Sequence, residues 1–262
     1  MVALDVPALD EARSLVATLR PVVTWFKVGL ELFAAAGPAA LAMVKESGGR
    51  VFVDLKLHDI PHTVARAAAV LTRQGVDMIS LHVAGGERMM AEAVASVREA
   101  AACAGQPVPI LVGVTVLTSL GEADLAALGV GRAPADQVLV LAHLARQAGL
   151  DGWVASPREA SLLRKELGPE PVIVTPGIRP LGSSAPGRGV VAVSVSEATA
   201  LSSRDDQVRV ATPAEAVANG ADWLVVGRPV TRADDPVRAA RAVVEEISAA
   251  VDGRRAATTP HR

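Results

Sequence analysis

A lysine stands between two aspartates in the segment VFVDLKLHDIPHTV, with the spacing Asp54-x-Lys56-x-x-Asp59. A lysine ammonium between carboxylates stays charged, because nearby negative charge favours the protonated form. Such a lysine is poorly suited to Schiff-base formation, which needs a neutral amine. It is well suited to holding a proton and delivering it to a developing carbanion. The motif therefore predicts proton transfer by Lys56 with carboxylates beside it.

Further charged residues stand where neighbouring strands are predicted to end. Asp5 closes the first strand candidate, and Lys27 lies in the second. Period-two alternation in the third strand places Asp54 and Lys56 on one face, opposite the apolar face that packs against helices. In a barrel of parallel strands, the active site lies at the carboxyl ends of the strands. We therefore expect these four side chains to meet in one site that contains both signs of charge.

Two segments near the end of the chain have the composition of a phosphate-binding site. TPGIRP contains Arg179, and VVGRPVT contains Gly227 and Arg228. In barrels of this class the loops after strands seven and eight form the usual phosphate cradle. Glycine lets the backbone approach an anion closely, and arginine adds a bidentate contact. Thr118 and Ser119 follow the fifth strand and offer hydroxyls to a polar ligand.

The elements that must position these residues alternate along the chain. Short apolar, β-branched runs predict eight strands, namely Val2–Asp5, Thr24–Gly29, Val51–Lys56, Met78–Val83, Ile110–Val116, Gly152–Ala155, Val172–Thr175 and Trp223–Gly227. Segments rich in Ala, Leu, Glu and Arg predict the helices between them, namely Leu9–Leu19, Leu32–Glu46, Thr63–Gln74, Arg88–Ala102, Ala135–Ala148, Pro157–Leu167, Pro213–Ala218 and, last, Pro236–Ala250. Near-continuous apolar strands that alternate with helices favour a parallel sheet. The pattern predicts an α/β fold, a single (β/α)8 TIM barrel, and the chain lacks both Gly-rich nucleotide fingerprints that would support an open sheet.

Composition excludes several function classes. The 262 residues are 50% hydrophobic and 21% charged, and the net charge is −2. These values exclude a disordered chain and a basic nucleic-acid-binding module. The single cysteine, Cys103, excludes an intramolecular disulfide, and its apolar surroundings predict a buried thiol. With no run long enough to span a bilayer, we expect a cytoplasmic protein that binds neither nucleic acid nor membrane.

Two segments interrupt the alternation of strands and helices. Residues 182–206 form a long stretch rich in Ser, Gly and Val between strand seven and its helix. A loop of this length in a compact domain is usually functional or disordered. Residues 252–262 (DGRRAATTPHR) indicate a flexible tail. The predicted organisation is therefore a catalytic barrel over residues 1–251, with an insertion at about 182–206 and a C-terminal tail.

The combined motifs resemble those of one enzyme family. FVDLKLHDIPHTV is similar to the D-x-K-x-x-D-I-P-x-T motif of the orotidine 5′-phosphate decarboxylases. The segments VALDVP, FKVGLELF, SLHVAGG, VTVLTS, TPGIRP, DDQVRVATP and ADWLVVGRPVT agree with that family and follow its order. The similarity extends from Val2 to about Ala250. It implies a lyase of UMP biosynthesis that converts orotidine 5′-monophosphate (OMP) to UMP and CO2 without a metal or organic cofactor.

The resemblance also implies a role for each matching residue. Lys56 would protonate C6 of the pyrimidine beside Asp54, which would lie near the substrate carboxylate. The remaining roles fall into three groups: Asp5 and Lys27 at the ribose, Thr118 or Ser119 at the pyrimidine, and Arg179, Gln207, Gly227 and Arg228 at the phosphate or its loop. The resemblance further implies a homodimer in which Asp59 and Thr63 reach the partner's site.

Two departures from the family and two rival functions stay open. The minor departure is His62, which stands where related sequences often have Asn. The insertion at 182–206 separates Arg179 from Gln207, where the family usually has a short loop. A Mg²⁺-dependent sugar-phosphate decarboxylase or aldolase shares the D-x-K-x-x-D pattern but needs a carboxylate at the end of strand two, where Lys27 stands. A non-catalytic nucleotide-binding protein, disabled by the insertion, is the second rival. The intact Asp54, Lys56 and Asp59 favour the decarboxylase.

Overall fold

The apolar runs pair side by side in the order of the chain. The computed structural model describes residues 1–180 and 210–258. One parallel sheet contains eight strands, which are β1 (Val2–Ala3), β2 (Trp25–Val28), β3 (Arg50–Leu57), β4 (Met78–His82), β5 (Ile110–Val114), β6 (Gly152–Val154), β7 (Val172–Thr175) and β8 (Trp223–Leu224). Each strand pairs in parallel with the next, as βαβ connections require.

The first and last strands close the sheet. Val2 forms a parallel bridge with Val226, just beyond β8. The backbone N–H of Ala3 donates to the Val226 carbonyl at 2.9 Å, and the N–H of Val226 donates to the Met1 carbonyl at 3.0 Å. These bonds leave no open sheet edge at this seam, and the predicted (β/α)8 barrel is confirmed.

Helices follow the strands. Within the described residues they are α1 (Leu9–Leu19), α2 (Leu30–Ala36), α3 (Pro38–Glu46), α4 (Pro61–Arg73), α5 (Glu87–Ala104), α6 (Glu122–Ala127), α7 (Pro134–Gln147), α8 (Pro157–Leu167), α9 (Pro213–Ala218), α10 (Arg228–Thr231) and α11 (Pro236–Thr258). The sequence predicted one helix over Leu32–Glu46, which is wrong. Gly37, with φ of 55°, and the proline after it separate α2 from α3, because a proline is best accommodated in the first turn of a new helix.

Two further expectations differ from the structure. Helix α11 continues to Thr258, past the predicted start of the tail at 252, while residues 259–262 lie outside the described part of the chain. Cys103 is exposed rather than buried, because it lies on the outer face of the last turn of α5. The insertion at 182–206 also lies outside the described residues. No helix in the described residues is long and apolar enough to cross a membrane.

The barrel interior is filled at its middle and amino-terminal end. Inward side chains form one apolar cluster, namely Ala3, Trp25, Phe52, Met78, Val112, Val174 and Val225. The rings of Trp25 and Trp223 meet at 4.6 Å between centroids. A larger cluster packs the outer faces of the strands against the helices. Because these side chains fill the middle and the amino-terminal end of the barrel, space for a ligand lies at the carboxyl ends of the strands.

Candidate active site

A cavity of about 420 Å³ opens at the carboxyl ends of the strands. Its walls include eight of the residues predicted from the sequence, namely Asp5, Lys27, Asp54, Lys56, Thr118, Arg179, Gly227 and Arg228. The charged residues of the first three strands and the arginines that follow strands seven and eight therefore face one space. A cavity of this size accommodates a small polar ligand.

The charged side chains form a connected array. Lys56 Nζ lies 2.9 Å from Asp54 Oδ2, and Lys27 Nζ lies 3.6 Å from the same oxygen. Lys27 Nζ also donates to Asp5 Oδ1 at 3.0 Å. Asp54 is the most buried of the four, at 8% exposure, whereas Asp5 is open to solvent. Two ammonium groups thus converge on one buried carboxylate at the floor of the cavity.

The environment of Asp54 keeps this carboxylate ionised. Burial alone would raise its pKa, because a low-dielectric environment disfavours the charged form. The ammonium groups of Lys27 and Lys56, with hydrogen bonds from Lys56 and Ser80, outweigh burial and lower the pKa below its ordinary value of 3.8. The array therefore carries fixed charges of both signs at neutral pH.

Glycine after β2 makes room for the array. A Cβ atom at Gly29 would lie 2.8 Å from Lys27 Nζ and 3.0 Å from Asp5 Oδ1. A side chain at this position would therefore displace the ion pair between Lys27 and Asp5. The backbone of Gly29 is extended and leads directly into α2, so here glycine matters for space rather than for conformation.

Lys56 has an uncommon backbone conformation. Its φ of 51° is the only positive φ among the non-glycine residues that the structure describes. Val53 pairs with Ile79 and Leu57 pairs with Leu81, so a bulge in β3 lies between these two pairs. A left-handed non-glycine residue costs about 1–3 kcal/mol and persists only where its surroundings fix it. The bulge directs Lys56 into the cavity, as bulges beside active sites commonly do.

The opposite wall carries the predicted anion-binding residues. Arg179 follows β7, and its backbone N–H donates to the Ala211 carbonyl at 2.9 Å. Gly227 follows β8, and its missing side chain leaves the backbone bordering the cavity. Arg228 is half-buried and begins α10. This wall offers two guanidinium groups and an accessible backbone to an anion.

Three predicted residues lie elsewhere, and a fourth, Gln207, is not among the described residues. Ser119 is exposed and outside the cavity wall, whereas its neighbour Thr118 is part of it. Asp59 and Thr63 are exposed beyond the cavity of their own chain, and the Asp59 carboxylate accepts the backbone N–H of Ile60 at 2.6 Å. Within its own chain, Lys56 therefore forms an ion pair with Asp54. Among the described residues it forms none with Asp59.

Three residues at the site were not predicted from the sequence. Ser80 donates to Asp54 from the neighbouring strand, and Glu31 and Arg232 border the cavity. A signal for Ser80 existed, because it shares the inward face of β4 with Met78 and is the one small polar residue in an apolar run. Arg232 directly follows α10, a helix of one turn that the composition did not indicate.

Two histidines extend the polar surface beside Lys56. The rings of His58 and His82 stack at 5.2 Å between centroids. His82 Nδ1 accepts the backbone N–H of Ala84 at 3.3 Å. Burial lowers the pKa of His82, and the charges of His58 and Lys56 lower it further. His82 is therefore neutral at pH 7 and adds no positive charge next to Lys56.

Comparisons with known proteins agree with the geometry. The profile of the orotidine 5′-phosphate decarboxylase / HUMPS family matches residues 1–243. The chain is 54% identical over 248 residues to an orotidine 5′-phosphate decarboxylase of Moorella thermoacetica, covering 94% of this chain and 91% of the relative. It is 46% identical to that of Syntrophotalea carbinolica, covering 95% of each.

A solved structure agrees as well. The crystal structure of orotidine 5′-phosphate decarboxylase from Lactobacillus acidophilus has a TM-score of 0.76 to this chain at 33% identity, and the match covers 94% of this chain and 97% of that one. The barrel, the array of charges and these likenesses lead to one conclusion: the chain belongs to the orotidine 5′-phosphate decarboxylase family.

Proposed function

We propose that this protein decarboxylates orotidine 5′-monophosphate to UMP and CO2, the last step of de novo UMP synthesis, in the cytoplasm. The observation that carries the proposal is the position of Lys56, whose ammonium borders the cavity and is held 2.9 Å from the buried carboxylate of Asp54. The names of the relatives supply the substrate.

The chemistry of the substrate explains why such an ammonium is needed. When the bond between C6 and the carboxylate breaks, CO2 leaves and its bonding electron pair stays on C6. No carbonyl of the ring is placed to delocalise this pair well, so the protein must stabilise the charge. Lys56 supplies a preorganised positive charge and then a proton to C6, and solvent returns a proton to the amine. We assign to Asp54 the positioning of Lys56 and, once substrate is bound, repulsion of the substrate carboxylate.

The rest of the cavity would bind the nucleotide. We assign Asp5 and Lys27 to the ribose hydroxyls, and Thr118, rather than the exposed Ser119, to the pyrimidine. Arg179 and Arg228, with the backbone at Gly227, would bind the phosphate, together with Gln207. Binding energy from a phosphate remote from C6 contributes to catalysis when it fixes the reacting ring against Lys56.

We further propose a homodimer in which Asp59 and Thr63 complete the partner's site. Both side chains are exposed and neither lines the cavity of its own chain, and Ile60 between them is 66% exposed. Burial of the Ile60 side chain against a partner subunit would favour the proposed dimer, because it removes apolar surface from water.

Mixing two inactive variants tests the shared site. Lys56→Ala and Asp59→Ala each remove one member of every site in their own homodimer. In a hybrid dimer, one site regains both residues. After subunit exchange of a one-to-one mixture, we expect about a quarter of wild-type activity, because half the dimers are hybrid and each has one restored site. Activity that stays at the level of the separate variants would contradict the shared site.

The charged residues of the cavity do not favour the Mg²⁺-dependent alternative. At the end of β2, where that class needs a carboxylate, Lys27 stands with its ammonium 3.6 Å from Asp54. Two ammonium groups beside the same carboxylate oppose a divalent cation electrostatically. The described residues contain no cluster of three or more His, Cys, Asp or Glu able to hold a metal ion. The proposed reaction assigns no step to a metal or an organic cofactor.

Substrate discrimination tests the proposed function. The purified protein is incubated separately with OMP and with a β-keto acid of a sugar phosphate, and the products are separated by chromatography. We expect UMP from the first and no product from the second. UMP binding without conversion of OMP would favour the non-catalytic rival, and turnover of the sugar phosphate would favour the metal-dependent one.

A further inference from the structure

We propose that Ser80 is a positioning residue of this enzyme, and that its hydroxyl holds Asp54 and the backbone of Lys56 in the geometry that delivers the proton. The inference rests on the proposed decarboxylation. It assigns to β4 a part of the proton-delivering unit that the D-x-K-x-x-D motif, confined to β3 and the loop after it, does not contain.

The Ser80 hydroxyl links the two residues directly. Ser80 is completely buried, and its Oγ donates to Asp54 Oδ1 at 2.9 Å. The same oxygen accepts the backbone N–H of Lys56 at 2.9 Å. One hydroxyl can do both, because it has one donor and two acceptor lone pairs. Ser80 is therefore bonded to the side chain of one reacting residue and to the main chain of the other.

These bonds settle the orientation of the Asp54 carboxylate. Its Oδ1 accepts from Ser80, which leaves Oδ2 for Lys56 at 2.9 Å and Lys27 at 3.6 Å. Without the Ser80 hydroxyl, only the two ammonium groups at Oδ2 would orient the carboxylate, and its rotation about the Cβ–Cγ bond would be less restricted. Rotation would move Oδ2 away from the ammonium groups that it now positions.

The bond to the backbone fixes the bulge. Between the pairs Val53–Ile79 and Leu57–Leu81, the residues 54–56 of β3 face Ser80 alone on β4. In this stretch, where the register shifts, the main-chain N–H of Lys56 bonds the Ser80 side chain. Because φ of Lys56 is 51°, this conformation needs a specific contact to persist. The Ser80 hydroxyl is that contact.

Loss of the hydroxyl must also alter the titration of Asp54. The groups that face this carboxylate are Lys27 from β2, Lys56 from β3 and Ser80 from β4, and the neutral His82 follows on the same face of β4. The hydrogen bond from Ser80 is one of the interactions that lower the pKa of Asp54. Its removal raises that pKa, so the acidic limb of the kcat profile moves to higher pH.

The test compares Ser80→Ala with Ser80→Thr and with Thr72→Val. Alanine removes only the hydroxyl, whereas threonine retains it. Thr72 is the matched control, because its buried hydroxyl bonds the Ala68 carbonyl within α4, far from the cavity. For each folded variant, kcat and KM for OMP, the pH profile and the dissociation constant of UMP are measured. Crystal structures of the wild type and of Ser80→Ala show the backbone at position 56.

We expect kcat of Ser80→Ala to fall by about 10- to 100-fold, the effect of losing a hydrogen bond to a charged group. UMP affinity should stay near the wild-type value, because UMP lacks the reacting carboxylate. Ser80→Thr should recover most of the loss, and Thr72→Val should lose no kcat. In the crystal, position 56 should leave the left-handed region or the Asp54 carboxylate should rotate.

Other outcomes would overturn the inference. These are wild-type kcat in Ser80→Ala, equal losses of kcat and UMP affinity, or a comparable loss in Thr72→Val. A folded wild-type protein that does not convert OMP would refute the proposed function instead. In that case the crystal structures still test the positioning role. If the Asp54 carboxylate and the Lys56 backbone keep their conformations in Ser80→Ala, the positioning role is refuted.

Discussion

Replacement of Lys56 by alanine is expected to abolish turnover while leaving a folded protein. Its ammonium is assigned both the stabilisation of the C6 carbanion and the proton transfer. Proton transfer by a positioned group contributes about 10²–10⁴-fold, and one preorganised electrostatic contact contributes about 10²–10³-fold. We therefore expect kcat to fall by at least about 10⁴-fold, measured from the ultraviolet absorbance change as OMP becomes UMP.

The cost in stability follows from the contacts of Asp54. Removing the only partner of a buried ion costs about 3–5 kcal/mol. Here Lys27 remains at 3.6 Å and Ser80 at 2.9 Å, and the Lys56 side chain is 31% exposed. We expect a loss of about 1–2 kcal/mol, which lowers Tm by about 2–8 °C in a chain of this size. Alanine and lysine meet similar strain at φ of 51°, so the backbone adds little.

Lys56→Arg separates charge from proton delivery. Arginine keeps a positive charge beside Asp54 but does not give up a proton in proteins. We expect this variant to retain more stability than Lys56→Ala and to remain at least about 10²-fold slower than the wild type. The reasoning is refuted if folded Lys56→Ala keeps turnover within about tenfold of wild type, or if Lys56→Arg is fully active.

Three further predictions concern other parts of the site. Arg228→Ala should weaken UMP binding by about 10- to 100-fold and leave uridine binding unchanged, because only the phosphate contact is lost; equal losses for both ligands would contradict the assignment. Gly29→Ala should lower kcat by about tenfold or more by displacing the ammonium of Lys27, whereas Gly121→Ala, at another extended helix start with its nearest contact at 3.7 Å, should not. The pKa of Asp54 is lower folded than unfolded, so its stabilisation is complete above the ordinary value of 3.8 and is lost as pH falls below it. Urea titrations at several pH values should show this loss in the wild type and a flatter dependence in Asp54→Asn.

Local patterns in the sequence predicted the fold and most of the charged array. The strand alternation that places Asp54 and Lys56 on one face depends on a period of two within β3, and the cavity wall contains both residues. The arginines after β7 and β8 were predicted because a barrel brings the carboxyl ends of all strands together. Both inferences follow from the pattern within one strand and from the order of strands and helices along the chain.

Contacts between strands were harder to predict. The role of Ser80 depends on the register between β3 and β4, and a bulge interrupts that register at Lys56. Nothing in the local sequence around Lys56 reports a positive φ. Cys103 was misplaced for a related reason, because an apolar sequence around a residue does not tell which face of a helix the residue occupies.

The break between α2 and α3 shows the opposite case. Gly37 and Pro38 are strong local signals, but the helical composition on both sides outweighed them in the prediction. The late end of α11 has a similar origin, since residues 252–262 were predicted to be a tail, whereas the structure continues the helix through Gly253 to Thr258. Glycine in a helix costs only about 1 kcal/mol relative to alanine, which neighbouring helix-forming residues offset.

The most direct measurement follows OMP by ultraviolet absorbance in the presence of the wild-type protein, before and after exhaustive treatment with EDTA. The proposed site predicts rapid conversion to UMP at the same rate in both conditions, because Lys56, Asp54 and Lys27 supply the charges that the reaction needs. No conversion by folded protein, or conversion that EDTA abolishes and Mg²⁺ restores, would contradict the account.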